Sequence, residues 1–173
     1  MIKSLARTLW SALRRAPLAA PPPDPTLVGE LAARLHAAGE PASGPGLALF
    51  HIDCGSCNGC ELELRLLAAT PNHGAQDWAA SPRQADALLV TGPVTRTMQE
   101  PLGYAWDAAA DPKFVVAVGD CAVDGGVFKG SYAVAGGAGS TLPVDLVIRG
   151  CPPTPAQILA GLRVLAAAAE RRG

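Results

Sequence analysis

The chain has 173 residues, enough for one domain to bury a core without disulfide staples, and 49% of them are apolar, 17% charged, with a formal net charge of -1. That balance excludes the basic face expected of a nucleic-acid binder, and no apolar run reaches the roughly 20 residues of a membrane-spanning helix. So little charge suits a surface partly covered by partners, although abundant alanine also raises the apolar count without making patches. Five cysteines, an odd number, argue against a secreted disulfide scaffold. Arg7, Arg14 and Arg15 interrupt any signal-peptide core. The expectation is a cytoplasmic protein with reduced thiols.

Residues 1–45 read as a separate N-terminal region. Ile2, Leu5, Ala6, Leu9, Trp10 and Leu13 share one helical face, with Lys3, Arg7 and Arg14 largely elsewhere. Such a basic amphipathic helix suits an anionic membrane surface or a groove on a partner subunit; the plainer reading folds it back on its own domain. Residues 16–25, APLAAPPPDP, form a Pro-rich, extended linker. Thr26 can cap a second helix with Leu27, Val28, Leu31 and Leu35 on its apolar side, ending near Gly39 before Pro41.

From residue 46 to 173 short apolar runs alternate with helical stretches. Strands are expected at 47–52, 85–90, 114–118 and 145–148, and helices at 61–69, 97–110 and 154–170, with a Gly-rich loop after the third strand. Continuous apolar strands separated by helices predict an α/β fold: a doubly wound, flavodoxin-like sheet, mostly parallel, with four main strands and helices on both faces. Ligands of such sheets sit beyond the carboxyl ends of the strands. The cysteines fall there. Cys54, Cys57 and Cys60, in C-G-S-C-N-G-C, follow the first strand; Cys121 follows the third and Cys151 the fourth. All five thiols are therefore expected on one edge.

Converging thiolates bind zinc or an iron–sulfur cluster. Structural zinc usually uses two close cysteine pairs, whereas here two ligands are single cysteines on separate loops, which favours a larger cluster. A redox C-x-x-C pair stays open, because Cys54/Cys57 and Cys57/Cys60 both have that spacing, but it leaves Cys121 and Cys151 idle. Gly59, Gly119, Gly125, Gly126 and Gly150 flank the thiols, where backbone must approach closely and offer N–H groups to sulfur. Pro152 and Pro153 fix the loop entering the last helix, and Pro155 suits its first turn.

Four motifs in order, C-N-G-C-E-L-E, T-G-P-V-T-R-T-M, G-D-C-A-V-D-G-G-V-F and P-V-D-L-V-I-R-G-C-P-P-T-P, resemble the family of complex I 20-kDa subunits and [NiFe]-hydrogenase small subunits, over residues 46–165. Within it, the Cys57-Asn58-Gly59-Cys60 spacing looks like the small subunit of group 4 membrane-bound hydrogenases, the formate hydrogenlyase type; complex I members carry adjacent cysteines in a C-C-x-I-E pattern. The resemblance implies one [4Fe–4S] cluster on Cys57, Cys60, Cys121 and Cys151, with Cys54 a non-ligand neighbour. No second cysteine-rich region follows Cys151, so a single cluster is expected. It further implies an electron-transfer subunit, not catalytic alone, of an oxidoreductase complex at the cytoplasmic face of the cell membrane. Its partners would be a catalytic large subunit, a ferredoxin-like iron–sulfur subunit and membrane subunits. The alternative is the corresponding 20-kDa-type subunit of a complex I-like NADH-quinone oxidoreductase, passing electrons to quinone. A zinc-stabilised binding module is the third reading.

Glu61 and Glu63 open the helix after Cys60, where carboxylates favour the positive helix end; proton transfer is the sharper reading. Arg96, after the second strand, points to the ligand edge, as a donor to cluster sulfides, a partner for a carboxylate or part of a surface ion pair. His51 and His73 are expected to be structural, and Arg149 an interface residue.

Overall fold

The computed structural model describes residues 47–69 and 77–170. The helices and linker expected over 1–45, and His73, lie outside them. Along the chain come β1 (Ala48–Asp53), α1 (Gly59–Ala69), β2 (Asp77–Trp78), β3 (Ala87–Thr91), β4 (Val94–Thr95) and α2 (Gln99–Ala108). After these follow β5 (Phe114–Val118), α3 (Asp120–Asp124), β6 (Val134–Gly136), β7 (Leu146–Ile148) and α4 (Pro155–Glu170). Five strands form one parallel sheet in the order β2-β1-β3-β5-β7, and β4 pairs with β6 in a separate antiparallel ribbon.

The central strands β3 and β5 are almost wholly apolar, Thr91 being the polar exception, because both faces of the sheet are covered. Side chains alternate between faces along a strand, so Ala87 and Leu89 join Phe114 and Val116 in one core layer while Leu88 and Val90 join Val115 and Ala117 in the other. The first layer is closed by Leu64 and Leu67 of α1 and by Ile158 and Leu162 of α4. The second is closed by Leu102 of α2 and Ala122 of α3. Full burial of each large aliphatic side chain is worth about 1.5–3 kcal/mol, which holds the helices on the sheet despite their short length.

Two aspartates finish the amino edge. Asp86 Oδ2 accepts the Ala48 N–H at 2.8 Å and Asp145 Oδ2 accepts the Val115 N–H at 2.9 Å. Each thereby satisfies a strand donor that would otherwise lack a partner.

The strand order reverses between β1 and β3: the chain leaves β1 for the edge strand β2, then returns past β1 to build the sheet in the other direction. Such a switch point opens a crevice at the carboxyl ends. The four expected strands are present, with ends displaced by no more than two residues. The two-residue β2 and the β4–β6 ribbon add to the expected sheet. The Gly-rich loop expected after β5 is corrected: Asp120–Asp124 is helical and Gly126–Phe128 forms a 3-10 turn. The glycines read as loop formers cap and join these two short turns.

A candidate thiol-lined site at the carboxyl edge

Three loops bring the cysteines to the crevice, each shaped by local chemistry. Beyond β1, Asp53 Oδ1 accepts the N–H groups of Gly55 (2.9 Å) and Ser56 (2.7 Å), an aspartate turn that reverses the chain. Ser56 Oγ accepts the Asn58 N–H at 3.0 Å, and Asn58 takes a left-handed φ of 72°, which asparagine tolerates better than most residues. Its carbonyl accepts the Leu62 N–H, so α1 starts at once and carries Cys60 in its first turn. Beyond β5, Cys121 lies in α3. Beyond β7, Cys151 precedes Thr154, whose hydroxyl and N–H exchange hydrogen bonds with Gln157. This T-P-A-Q capping box launches α4.

The loops enclose a cavity of about 90 Å³ lined by Cys57, Cys60, Cys121 and Cys151 together with Ser56, Gly59, Gly92, Asp120, Gly150 and Pro152. One water needs only about 10–15 Å³ by the same measure, so the space holds a group of several heavy atoms. Cys57 and Cys151 are exposed, Cys60 and Cys121 half-buried, and all are free thiols. Among the described residues, no three histidine, cysteine, aspartate or glutamate side chains are grouped to hold a single metal ion.

Backbone presses directly on the sulfurs. A β-carbon on Gly119, where φ is +88°, would lie 2.4 Å from Cys60 Sγ, and one on Gly126, where φ is +51°, would lie 2.7 Å from Cys121 Sγ. The Val127 backbone N–H favours the Cys121 thiolate, opposing the effect of burial. Burial, then the neighbouring Cys121, Cys151 and Cys57 sulfurs, push the Cys60 thiol up to about 12, and burial with the Cys151 sulfur raises that of Cys121. The thiolate forms of Cys60 and Cys121 are thus disfavoured unless a nearby cation offsets their charge.

The remaining candidates fall outside this cavity. Cys54 is fully buried in the core layer with Ile52 and Val94, and burial followed by the Asp53 charge pushes its thiol up to about 12. Its position in the chain is at the carboxyl edge, as expected, but its sulfur faces the core instead of the crevice. Arg96 is exposed, with Nε donating to the Tyr132 carbonyl at 2.7 Å and N–H to that of Ala133, so it braces the loop before β6. Glu61 pairs with Arg65 one turn along α1, and Glu63, half-buried, does not line the cavity. His51 Nε2 meets Thr91 Oγ1 at 2.8 Å between adjacent strands. Arg149 pairs with Asp120 Oδ1 at 3.7 Å and Asp124 Oδ2 at 3.6 Å.

Asp120, like Ser56 and Gly92, is a cavity residue that sequence reasoning passed over, and it alone of the three is charged. Its signal was its place immediately before Cys121. Val127 and Tyr132, in the segment after α3, are 82% and 90% exposed.

Fold and cavity together define an α/β domain whose parallel sheet gathers four thiols at its carboxyl edge. The chain belongs to the family described as NADH ubiquinone oxidoreductase, 20 Kd subunit, which it matches over residues 57–165. It is 42% identical over 128 residues to formate hydrogenlyase subunit 7 of Escherichia coli K12, covering 72% of this chain and 50% of that protein. It is also 42% identical over 118 residues to the probable membrane-bound hydrogenase subunit mbhJ of Pyrococcus furiosus, covering 66% of this chain and 70% of that one. With an NADH-quinone oxidoreductase subunit of Phocaeicola vulgatus it shares 52% identity over 83 residues, 48% of this chain and 42% of the relative. The chain thus spans half the length of the E. coli relative. Among solved structures, a chain of the membrane-bound sulfane sulfur reductase, an archaeal respiratory membrane complex, superposes with a TM-score of 0.62 at 26% identity, over 82% of this chain and 77% of that one. Among the described residues, no helix is long and apolar enough to cross a membrane.

Proposed function

We propose that this chain is the electron-transfer small subunit of a membrane-associated [NiFe]-hydrogenase complex of the formate hydrogenlyase type. In this reading Cys57, Cys60, Cys121 and Cys151 hold one [4Fe–4S] cluster. The observation that carries it is the convergence of these four thiols, from three loops, on one cavity. Structural zinc usually uses two close cysteine pairs, whereas here Cys121 and Cys151 are single cysteines on separate loops. When bound, a cluster accepts and releases one electron, at a potential set by hydrogen bonds to sulfur, nearby charge and burial.

The chain's own residues supply that environment. The Val127 backbone N–H favours the Cys121 thiolate, and Gly119 and Gly126 admit backbone against sulfur where a side chain would not fit. The exposed Cys57 and Cys151 leave one side of the cavity for a large subunit to cover. A ferredoxin-like subunit and membrane subunits complete the assembly, at the cytoplasmic face of the cell membrane.

A second reading is the 20-kDa-type subunit of an NADH-quinone oxidoreductase, supported by 52% identity over 83 residues to a subunit of such an enzyme. The substrate centre of either complex belongs mainly to the large subunit. A neighbouring gene product with two C-x-x-C nickel-binding pairs supports the hydrogenase; its absence supports quinone chemistry.

Iron and acid-labile sulfide in the anaerobically purified full chain, with electron paramagnetic resonance after reduction, test the cluster. Four irons and four sulfides per chain are expected, lost in Cys57→Ala, Cys60→Ala, Cys121→Ala and Cys151→Ala but kept in Cys54→Ala. Stoichiometric zinc without sulfide refutes the redox role.

A further inference from the structure

Asp120 and Gly150 are joined twice. The Asp120 N–H donates to the Gly150 carbonyl at 2.9 Å, and the Gly150 N–H donates to Asp120 Oδ1 at 3.1 Å. Each residue stands immediately before a cavity cysteine, Cys121 and Cys151. A third bond, from the Gly119 N–H to the Ile148 carbonyl at 2.7 Å, extends this seam back towards the sheet. These two cysteines are the ones whose loops carry no second thiol, so their spacing depends on contacts between the loops. Cys57 and Cys60 are spaced by their own short segment.

The same carboxylate lies on the cavity wall. Arg149 sits 3.7 Å from Asp120 and 3.6 Å from Asp124, so one guanidinium faces two carboxylates. The groups are each more than a third exposed, and pairs of that kind contribute little to stability. Folding strength therefore gives little reason for this triad. A charge at the wall of an electron-carrying site has a different consequence: a negative one opposes the gain of an electron.

We propose that Asp120 is a positioning residue that ties the Cys121 and Cys151 loops at one spacing and, by its charge, lowers the electron affinity of the site, with Arg149 opposing that effect. The inference rests on the cluster reading above. It assigns two separable jobs to one side chain: the acceptor atom holds the loops, and the charge sets the potential.

The substitutions D120N, D120A and D124N in the anaerobically purified full chain separate them. D120N keeps an oxygen for the Gly150 N–H but removes the charge. Its iron and sulfide content is expected to match the wild type, while its midpoint potential, read by paramagnetic resonance during redox titration, shifts positive by up to tenfold in the one-electron equilibrium, about 59 mV. D120A removes the acceptor as well, and cluster content is expected to fall at least twofold. D124N alters the other carboxylate of the triad, which does not line the cavity, and is expected to shift the potential less than D120N. Wild-type protein without iron and sulfide overturns the cluster reading, and this inference with it. A wild type holding both, with D120N at the wild-type potential, or D120A with full cluster content, or D124N shifting as far as D120N, overturns this inference alone.

Discussion

Gly119 and Cys60 are in contact across the cavity wall: a β-carbon on Gly119 would stand 2.4 Å from Cys60 Sγ, with φ at +88°. Gly119→Ala is therefore strained by backbone and by sulfur together. A stability loss of about 1–3 kcal/mol is expected, with a fall in iron content because Cys60 must move. Gly103→Ala should act oppositely. Gly103 lies inside α2 with nothing within 4 Å of the added carbon, so about 0.5–1 kcal/mol of stabilisation is expected. Denaturant midpoints of the two variants with the same sign contradict this account.

Cys54 separates structure from ligation. Its side chain is fully buried beside Ile52 and Val94, so Cys54→Ala should cost roughly 1–2 kcal/mol through lost packing and leave iron content unchanged. Cys57→Ala, at an exposed position, should show the converse: a small effect on the apo fold and loss of iron. Parallel thermal scans and iron assays on both variants check the contrast.

His51 predicts an acid-side dependence. Burial lowers its pKa below the ordinary 6.5, against the raising influence of Glu61 and Asp53 and with a lowering one from Arg65. The native chain thus binds fewer protons here than the unfolded chain as pH falls through this range, and stability must rise with pH. The contribution is complete above about pH 6.5 and is lost as pH drops towards and through the lowered native value. His51→Gln, which keeps a hydrogen-bonding group near Thr91 without titrating, should flatten the slope of stability between about pH 7 and 5. An unchanged slope in chemical unfolding would mean that another group is responsible.

Lys113 closes α2. Its Nζ donates to the Trp106 and Ala109 carbonyls at 2.9 and 3.2 Å and lies 4.5 Å from the Trp106 ring centre. Its side chain is 13% exposed. Lys113→Met is expected to cost about 2 kcal/mol, since hydrogen bonds from a charged group to carbonyls at the end of the helix are lost. Asp111→Asn, which removes an 85% exposed partner 3.8 Å away, should stay within about 0.5 kcal/mol. Equal unfolding midpoints for the two variants rule out a capping role for Lys113.

The strands were legible in the sequence because a sheet buried on both faces needs apolar residues at consecutive positions, as in Leu88, Leu89 and Val90. The edge that gathers thiols was legible for a related reason: parallel strands all end on one side, so Cys57, Cys60, Cys121 and Cys151 follow strand ends on the same edge of the sheet. The short helix Asp120–Asp124 was hidden, because glycines that cap helical turns look the same in sequence as glycines that make loops. Tertiary structure alone decided which way each side chain faces. Cys54 and Cys57 differ by three positions, yet the turn set by Asp53 sends the first into the core and the second to the cavity. The pairing of Asp120 with Gly150 was likewise unreadable, for the two lie 30 residues apart. Local pattern reports burial and period; contact between distant loops depends on how the whole sheet closes, and only the folded chain contains that information.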